Sequence, residues 1–373
     1  MPGLPHRPLR LCVAVSVALS LHLAVMAEEG KQTLALSSPL ERQVFQRGAD
    51  DLGQVLIVGP LPTGAEAVEA RAVLAEGAPR GKAVDWSVVM KVKTAPSPEE
   101  GRFSGRLPLS AGGWYRLDVR ARKGELTLAQ TAVERVGVGD VFVAAGQSNS
   151  ANFGQVRQAA KDDRVVYFDG RAYVPARDPI PGGFGGGGTP WPLVGDLLAR
   201  QWSVPVCFRS STLTYTPVAL WLPDAKHNQY PTLVERVKQF GPHGVRAVLW
   251  HQGESDSLAK TTAEQYRDRL AQVIRSLRKD VGYDVDWFVA QASFHPGCGK
   301  PQQEPVAEGQ KLLWESKVAF AGPITDDLLG KEYRSDGVHF TEKGLQVHAQ
   351  RWCEAITRQY GGAQGQGSVP PPR

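Results

Sequence analysis

Cysteine is scarce, with 4 in 373 residues, and Cys12 lies in the N-terminal apolar stretch. The remaining three, Cys207, Cys298 and Cys353, allow one disulfide at most, which excludes a disulfide-built scaffold. An excess of charge of one sign is also missing. The formal net charge of +5 falls to +3 without Arg7 and Arg10, and the charges are dispersed, so no basic patch for nucleic acid is present. Pro181 to Gly188 holds six glycines in eight residues, but no phosphate-loop lysine follows. No internal repeat occurs. His251, Glu254, Asp256 and His295 match no standard ligand spacing, so neither a metal nor another cofactor is expected.

What is present is 42% hydrophobic content over a length that fits two domains. Residues 1–27 combine His6, Arg7 and Arg10 with an apolar stretch from Leu11 to Val25 and small Ala27 before Glu28, which reads as a signal peptide for a secreted or periplasmic protein without stable membrane insertion after cleavage. From residue 28 to 136 the chain alternates apolar and polar residues in short runs broken by Gly and Pro, including Gln54 to Val58, Ala83 to Met90, Arg102 to Leu107 and Trp114 to Arg120. That spacing predicts an antiparallel β-sandwich of immunoglobulin-like type, with Trp86 and Trp114 packing in its core. From 137 to 360 strands and helices alternate, which predicts a parallel sheet with helices on both faces. Helices are expected at Trp191 to Trp202, Tyr230 to Phe240, Ala263 to Lys279 and Thr341 to Tyr360. Strands are expected at Val165 to Phe168, Val204 to Arg209, Val245 to Trp250, Trp287 to Ala292 and Lys317 to Phe320. The tail 361–373, rich in Gly, Gln and Pro, reads as disordered.

One apolar run, Val141 to Ala145, stops at Gly146-Gln147-Ser148-Asn149. It reads as a buried strand ending in a turn that presents a serine at its carboxyl end, where α/β sheets build sites. A serine nucleophile needs a base, and the base needs an acid to fix its tautomer. Asp336-Gly337-Val338-His339 places an acid three residues before a histidine, close enough to pair on one turn. A third segment, His251-Gln252-Gly253-Glu254, follows another predicted strand and offers a second carboxylate.

These three motifs, in this order, resemble those of the SGNH hydrolases, in the branch of sialate O-acetylesterase-like and acetylxylan-esterase-like carbohydrate esterases. The resemblance spans roughly residues 137 to 360 and implies a flavodoxin-like α/β fold and removal of O-acetyl groups from carbohydrate through an acetyl-enzyme. By the same resemblance Ser148 is the nucleophile, His339 the base, and Asp336 or Glu254 the acid, with Asp336 favoured for its short tether. The backbone N–H of Ser148, the amide of Gln252 and a backbone N–H at Thr214 or Tyr215 would form the oxyanion hole, although the family's glycine segment is replaced here by Thr214-Tyr215-Thr216-Pro217. Ser150 stands where the family commonly has methionine. Gln147, Asn149, His251 and Trp221 are placed against the substrate. Two other functions compete: a carbohydrate-binding protein on the same fold without turnover, and an esterase for other short acyl esters. The sugar and the oligomeric state stay open.

Overall fold

The computed structural model describes residues 32–91, 101–226 and 229–361. The segment read as a signal peptide and all but the first residue of the tail lie outside the described residues. The β-rich half contains β1 (Gln32–Thr33), β2 (Gln43–Gln46), β3 (Leu52–Pro60), β4 (Ala67–Leu74), β5 (Val84–Lys91), β6 (Arg102–Ser110), β7 (Gly112–Lys123) and the start of β8 (Leu126–Gly146). β3 and β6 form an antiparallel ladder from Leu52 opposite Ser110 to Pro60 opposite Arg102. Their period-2 pattern turns Val55, Ile57, Phe103 and Leu107 inward against Val68, Leu117 and Val119 of the other layer. That other layer joins β5, β4, β7 and β8 as antiparallel neighbours, but β1 and β2 run parallel to β8, so the expected wholly antiparallel arrangement is corrected to a mixed one. β4 escapes the sequence pattern because its core positions include Ala70 and Ala72, and pairing with β5 and β7 overrides their weak strand preference. Trp114 is buried, but in the apolar cluster of the α/β half with Val44, Val141 and Cys207 and not in the sandwich core, with Nε1 donating to Asp163 Oδ2. Trp86 is instead half-buried on the sheet surface, with the guanidinium of Arg120 3.9 Å and that of Arg71 4.9 Å from its ring centre.

The remaining elements are β9 (Val165–Phe168), β10 (Tyr173–Pro175), α1 (Trp191–Trp202), β11 (Val206–Thr212), α2 (Tyr230–Lys238), β12 (Ala247–His251), α3 (Glu254–Leu258), α4 (Ala263–Val281), β13 (Asp286–Gln291), α5 (Lys300–Glu315), β14 (Phe320–Ile324) and α6 (Glu342–Tyr360). The spatial order is β10-β9-β11-β8-β12-β13-β14, parallel except for the edge strand β10. With β8, β11, β12, β13 and β14 counted as strands one to five, the order is 2-1-3-4-5. Such a sheet reverses its winding between strands one and three, and sites form at the carboxyl ends there. α1 and α6 cover one face through Trp191, Leu198, Trp352 and Ile356. α2, α4 and α5 cover the other through Leu233, Tyr266, Ile274, Val306 and Leu313. α5 was hidden from sequence reasoning by Pro301 and Pro305; the first lies in the opening turn, where proline is tolerated, and the second interrupts the helix only locally. β14 begins at Phe320, where the expected strand ended, because Lys317 takes a φ of +56° and closes α5 first. Cys207, Cys298 and Cys353 are buried and unpaired. No helix among the described residues is long and apolar enough to cross a membrane.

β8 belongs to both halves. Its residues up to Val138 pair antiparallel with β7, and those before Val136 are largely half-exposed or exposed, whereas Val136 to Gly146 are all buried and Asp140 to Gly146 pair parallel with β11 and, from Phe142, with β12. The change of pattern near residue 137 therefore falls inside a continuous strand. Within it the buried carboxylate of Asp140 accepts from Arg47 (Nη2, 2.8 Å), which follows β2, and from Arg246 (Nε, 2.7 Å), which precedes β12. Burial alone would raise this carboxyl, but Arg246 and Arg47 outweigh it and hold it at about 2. Removing the carboxylate leaves two partly buried guanidinium groups without it. Asp140→Ala is expected to cost about 3–5 kcal/mol in urea unfolding. Because the folded value is depressed, the Asp140 contribution is complete above the unfolded value of about 3.9 and is lost as pH falls toward 2.

Candidate active site

The turn after β8 is dictated by a backbone contact. Gly146 has φ +122°, and a Cβ there would lie 2.0 Å from the carbonyl oxygen of His251, so only glycine fits. Gln147 N–H donates to that same oxygen at 3.0 Å. The chain then makes one turn of 3-10 helix, Ser148–Ser150, in which Ser150 N–H donates to Gln147 O and Ala151 N–H to Ser148 O. Trp191 Nε1 donates to Ser150 O at 2.8 Å and pins the turn to α1. Ser148 thus sits at the carboxyl end of β8 with 5% of its surface exposed. Neither its Oγ nor its backbone N–H has a hydrogen-bond partner among the described residues.

The second part is the turn from Ser335 to His339. Asp336 Oδ1 accepts from the N–H groups of Val338 (2.9 Å) and His339 (2.7 Å), and Gly337, at φ +88°, lets the chain double back. Asp336 Oδ2 lies 2.6 Å from His339 Nδ1. Burial raises the Asp336 carboxyl, but the His339 N–H, the His339 ring and the Val338 N–H outweigh it and bring it to about 2. An ionised carboxylate only accepts, so Nδ1 carries the proton and Nε2 is left as the basic ring nitrogen. Three contacts bring this turn to Ser148. Asn149 Nδ2 donates to Val338 O at 3.3 Å, Gln155 N–H donates to Phe340 O at 2.9 Å, and the rings of Phe153 and His339 stack with centres 5.1 Å apart.

Several residues of the His251-to-Glu254 motif stand elsewhere than the sequence implied. Glu254 is buried and accepts from Asn149 Nδ2 at 2.7 Å, while its partner histidine is His251, with Nε2 3.6 Å away, and not His339. Burial raises its carboxyl, but His251 and Asn149 prevail and lower it. Glu254 is therefore a buried brace for the Asn149 side chain, and the carboxylate paired with His339 is that of Asp336. His251 has no exposed surface and packs its ring against His348 and Phe340, so it is not a substrate contact. Gln252 is corrected as well. Its Nε2 donates to Asp256 Oδ2 (2.6 Å) and Thr216 O (2.9 Å), and its Oε1 accepts from Tyr266 O–H (3.1 Å), which leaves no amide proton for an oxyanion. Trp221 is fully buried against Trp250, with Nε1 donating to Thr216 Oγ1. Gln147 and Asn149 are also buried: Gln147 Oε1 accepts from Ser255 N–H at 3.2 Å, and Asn149 Nδ2 bridges Glu254 and Val338, while Asn149 Oδ1 has no partner among the described residues.

Tyr215 lies in the loop that follows β11. Leu213 N–H donates to Gly146 O at 3.0 Å, so the loop after β11 starts against the serine turn, and the N–H groups of Thr214 and Tyr215 have no acceptor among the described residues. Sequence reasoning missed Arg334 and Asp256. Arg334 is buried and donates to the carbonyls of Leu328, Thr325 and Val338, which fixes the histidine turn from below. Asp256 gathers Gln252, Val218 N–H and Thr261 Oγ1 under the Tyr215 loop. No spacing marks either residue, because their partners are distant in sequence. No group of three His, Cys, Asp or Glu side chains among the described residues is arranged to hold a metal ion. Since Gln252 closes this buried network, Gln252→Ala is expected to lower stability by about 1–3 kcal/mol through the groups it orphans, read as a fall in Tm.

A family model described as carbohydrate esterase, sialic acid-specific acetylesterase, matches residues 138–358, more than half of the chain. The chain is 32% identical over 114 residues to "Probable carbohydrate esterase At4g34215" of Arabidopsis thaliana, a match covering 30% of this chain and 41% of that relative's length. Among solved structures it is similar to XAC1771, a carbohydrate acetylesterase from Xanthomonas citri, with a TM-score of 0.57 and 19% identity over 87% of this chain and 75% of that one, a likeness of fold. The serine turn, the histidine turn and the segment after β12 that carries Gln252 all fall within the matched residues, and the chain belongs to the carbohydrate esterase, sialic acid-specific acetylesterase family.

Proposed function

We propose that this chain is a secreted serine esterase that removes O-acetyl groups from carbohydrate through an acetyl-enzyme. The observation that carries this reading is the 2.6 Å Asp336–His339 pair on a turn hydrogen-bonded to Asn149, the residue after Ser148. His339 Nε2 takes the proton from Ser148 Oγ as that oxygen bonds to the acetyl carbon. Negative charge then develops on the carbonyl oxygen, and the free N–H of Ser148 at the end of β8 is the first donor to it. The backbone N–H of Tyr215 is the second, supplied by a loop anchored on Gly146 O. Collapse breaks the bond to the sugar oxygen, which leaves with the proton held on His339. Water then enters and gives a proton to Nε2 as its oxygen bonds to the acetyl carbon; collapse breaks the bond to Ser148 Oγ, which takes that proton back from His339, and acetate is released. Throughout, Asp336 fixes the ring and stabilises its positive form. We read the segment 1–27 as a signal peptide, which supports an activity outside the cytoplasm, and we read the β-rich half as an immunoglobulin-like brace for the sheet.

Ser148→Ala is expected to abolish acetate release while leaving Tm unchanged, and turnover by the folded variant would refute the nucleophile. Asp336→Asn is expected to lower kcat by about 10⁴-fold. Glu254→Gln should cost less rate and more stability, since it weakens a buried brace; steady-state kinetics with thermal melts ranks the two. With its carboxyl at about 2, Asp336 is ionised above about pH 4. The kcat/KM profile above that pH therefore contains no limb from Asp336, and a limb there that Asp336→Asn alone removes would contradict this. Acyl chain-length preference on soluble esters separates an acetylesterase from an enzyme for longer acyl groups, and covalent labelling by an organophosphate separates both from a binding protein without turnover.

A further inference from the structure

Ten large apolar side chains are exposed among the described residues, and two of these are aromatic: Phe184 at 54% and Tyr215 at 77%. Both stand on loops that meet the serine turn. Phe184 lies in the glycine-rich loop, and its carbonyl accepts from Asn152 N–H at 3.0 Å. The next residue, Gly185, approaches Phe153 so closely that a Cβ would sit 2.8 Å from the ring that stacks on His339. Tyr215 follows Leu213, whose N–H is held by Gly146 O. Its φ of +57° is a left-handed conformation that is unfavourable for a bulky residue and is kept here with the ring in water. Neither ring stacks on another aromatic or a cation among the described residues. The polar motif residues near Ser148 are, by contrast, buried.

We propose that Phe184 and Tyr215 are stacking surfaces for pyranose rings of the carbohydrate substrate, so that the sugar is recognised by these two loops and not by the buried motif side chains. The proposal rests on the esterase reading above for the identity of the ligand. A pyranose presents C–H groups on one face, which pack on the electron-rich face of an aromatic ring, while its hydroxyl rim stays hydrated. Each ring buried in this way removes apolar surface that the free protein exposes.

Binding tests this without turnover. A Ser148→Ala protein is titrated by calorimetry with an acetylated xylo-oligosaccharide, an acetylated pectic oligosaccharide and an O-acetylated sialoside. For the tightest ligand of the three, adding Phe184→Ala or Tyr215→Ala is expected to raise Kd about tenfold, while Phe184→Trp and Tyr215→Trp keep it within about twofold. Thermal melts confirm folding, since both side chains are exposed. An unchanged Kd in both alanine variants, or no binding of any of the three ligands, overturns the proposal. Acetate release from the same ligands by the unmutated protein is measured separately. Binding that depends on the two rings without any acetate release would overturn the esterase reading and leave the platform standing.

Discussion

The site depends on one close approach. The carbonyl of His251, at the end of β12, occupies the space that a side chain on residue 146 would need, and it also accepts the Gln147 N–H. The ends of the two strands are thereby held together where the sheet reverses its winding. Every later feature inherits its position from this contact. The serine turn starts there, the Leu213 loop hydrogen-bonds to Gly146 O, and the segment after β12 is delivered beneath both. A larger residue at 146 would move the strand end by more than the tolerance of a catalytic hydrogen bond, roughly half an ångström.

Around this contact the polar residues divide by their partners. Ser148 and the Nε2 side of His339 have no protein group to bind, which is the condition for reactive atoms. Gln147 Oε1, Asn149 Nδ2, Glu254 Oε1, Gln252, Asp256 and Arg334 are paired with one another or with backbone groups, while Asn149 Oδ1, Glu254 Oε2 and both ring nitrogens of His251 have no hydrogen-bond partner among the described residues. The paired groups hold the elements that carry them in one arrangement, because a buried partner left alone is costly. Its task is positional. Glu254 orients Asn149, Asn149 holds the carbonyl of Val338, and Val338 precedes the histidine whose ring must face the serine.

The sheet itself is continuous with the β-rich half. β8 enters from the antiparallel layer and becomes the central parallel strand, and Asp140 ties Arg47 and Arg246 together on a single carboxylate midway along it. A strand shared in this way transmits its register. The pairing that sets β8 against β7 also sets where Gly146 meets His251.

Much of this was legible in the chain. Unbroken apolar runs at Val141 and Val165 mark buried parallel strands, because burial on both faces demands continuous hydrophobicity, and the four helical repeats mark amphipathic faces for the same reason. Asp336 and His339 were legible because their partnership is local, three residues apart. Weak local signals failed: alanines in β4, and prolines in α5. The roles of Gln252, Glu254, His251 and Trp221 were not legible. Each is a polar or aromatic residue in a motif beside a strand end, and the motif does not tell whether the side chain faces the cleft or the interior. That choice was made by partners far away in sequence, Thr216 and Tyr266 for Gln252 and Asn149 for Glu254. The sequence by itself determined which chemical groups are present and which strands end beside one another. Only the tertiary structure decided which groups are left free to react, because the polar groups it buries must be satisfied from within.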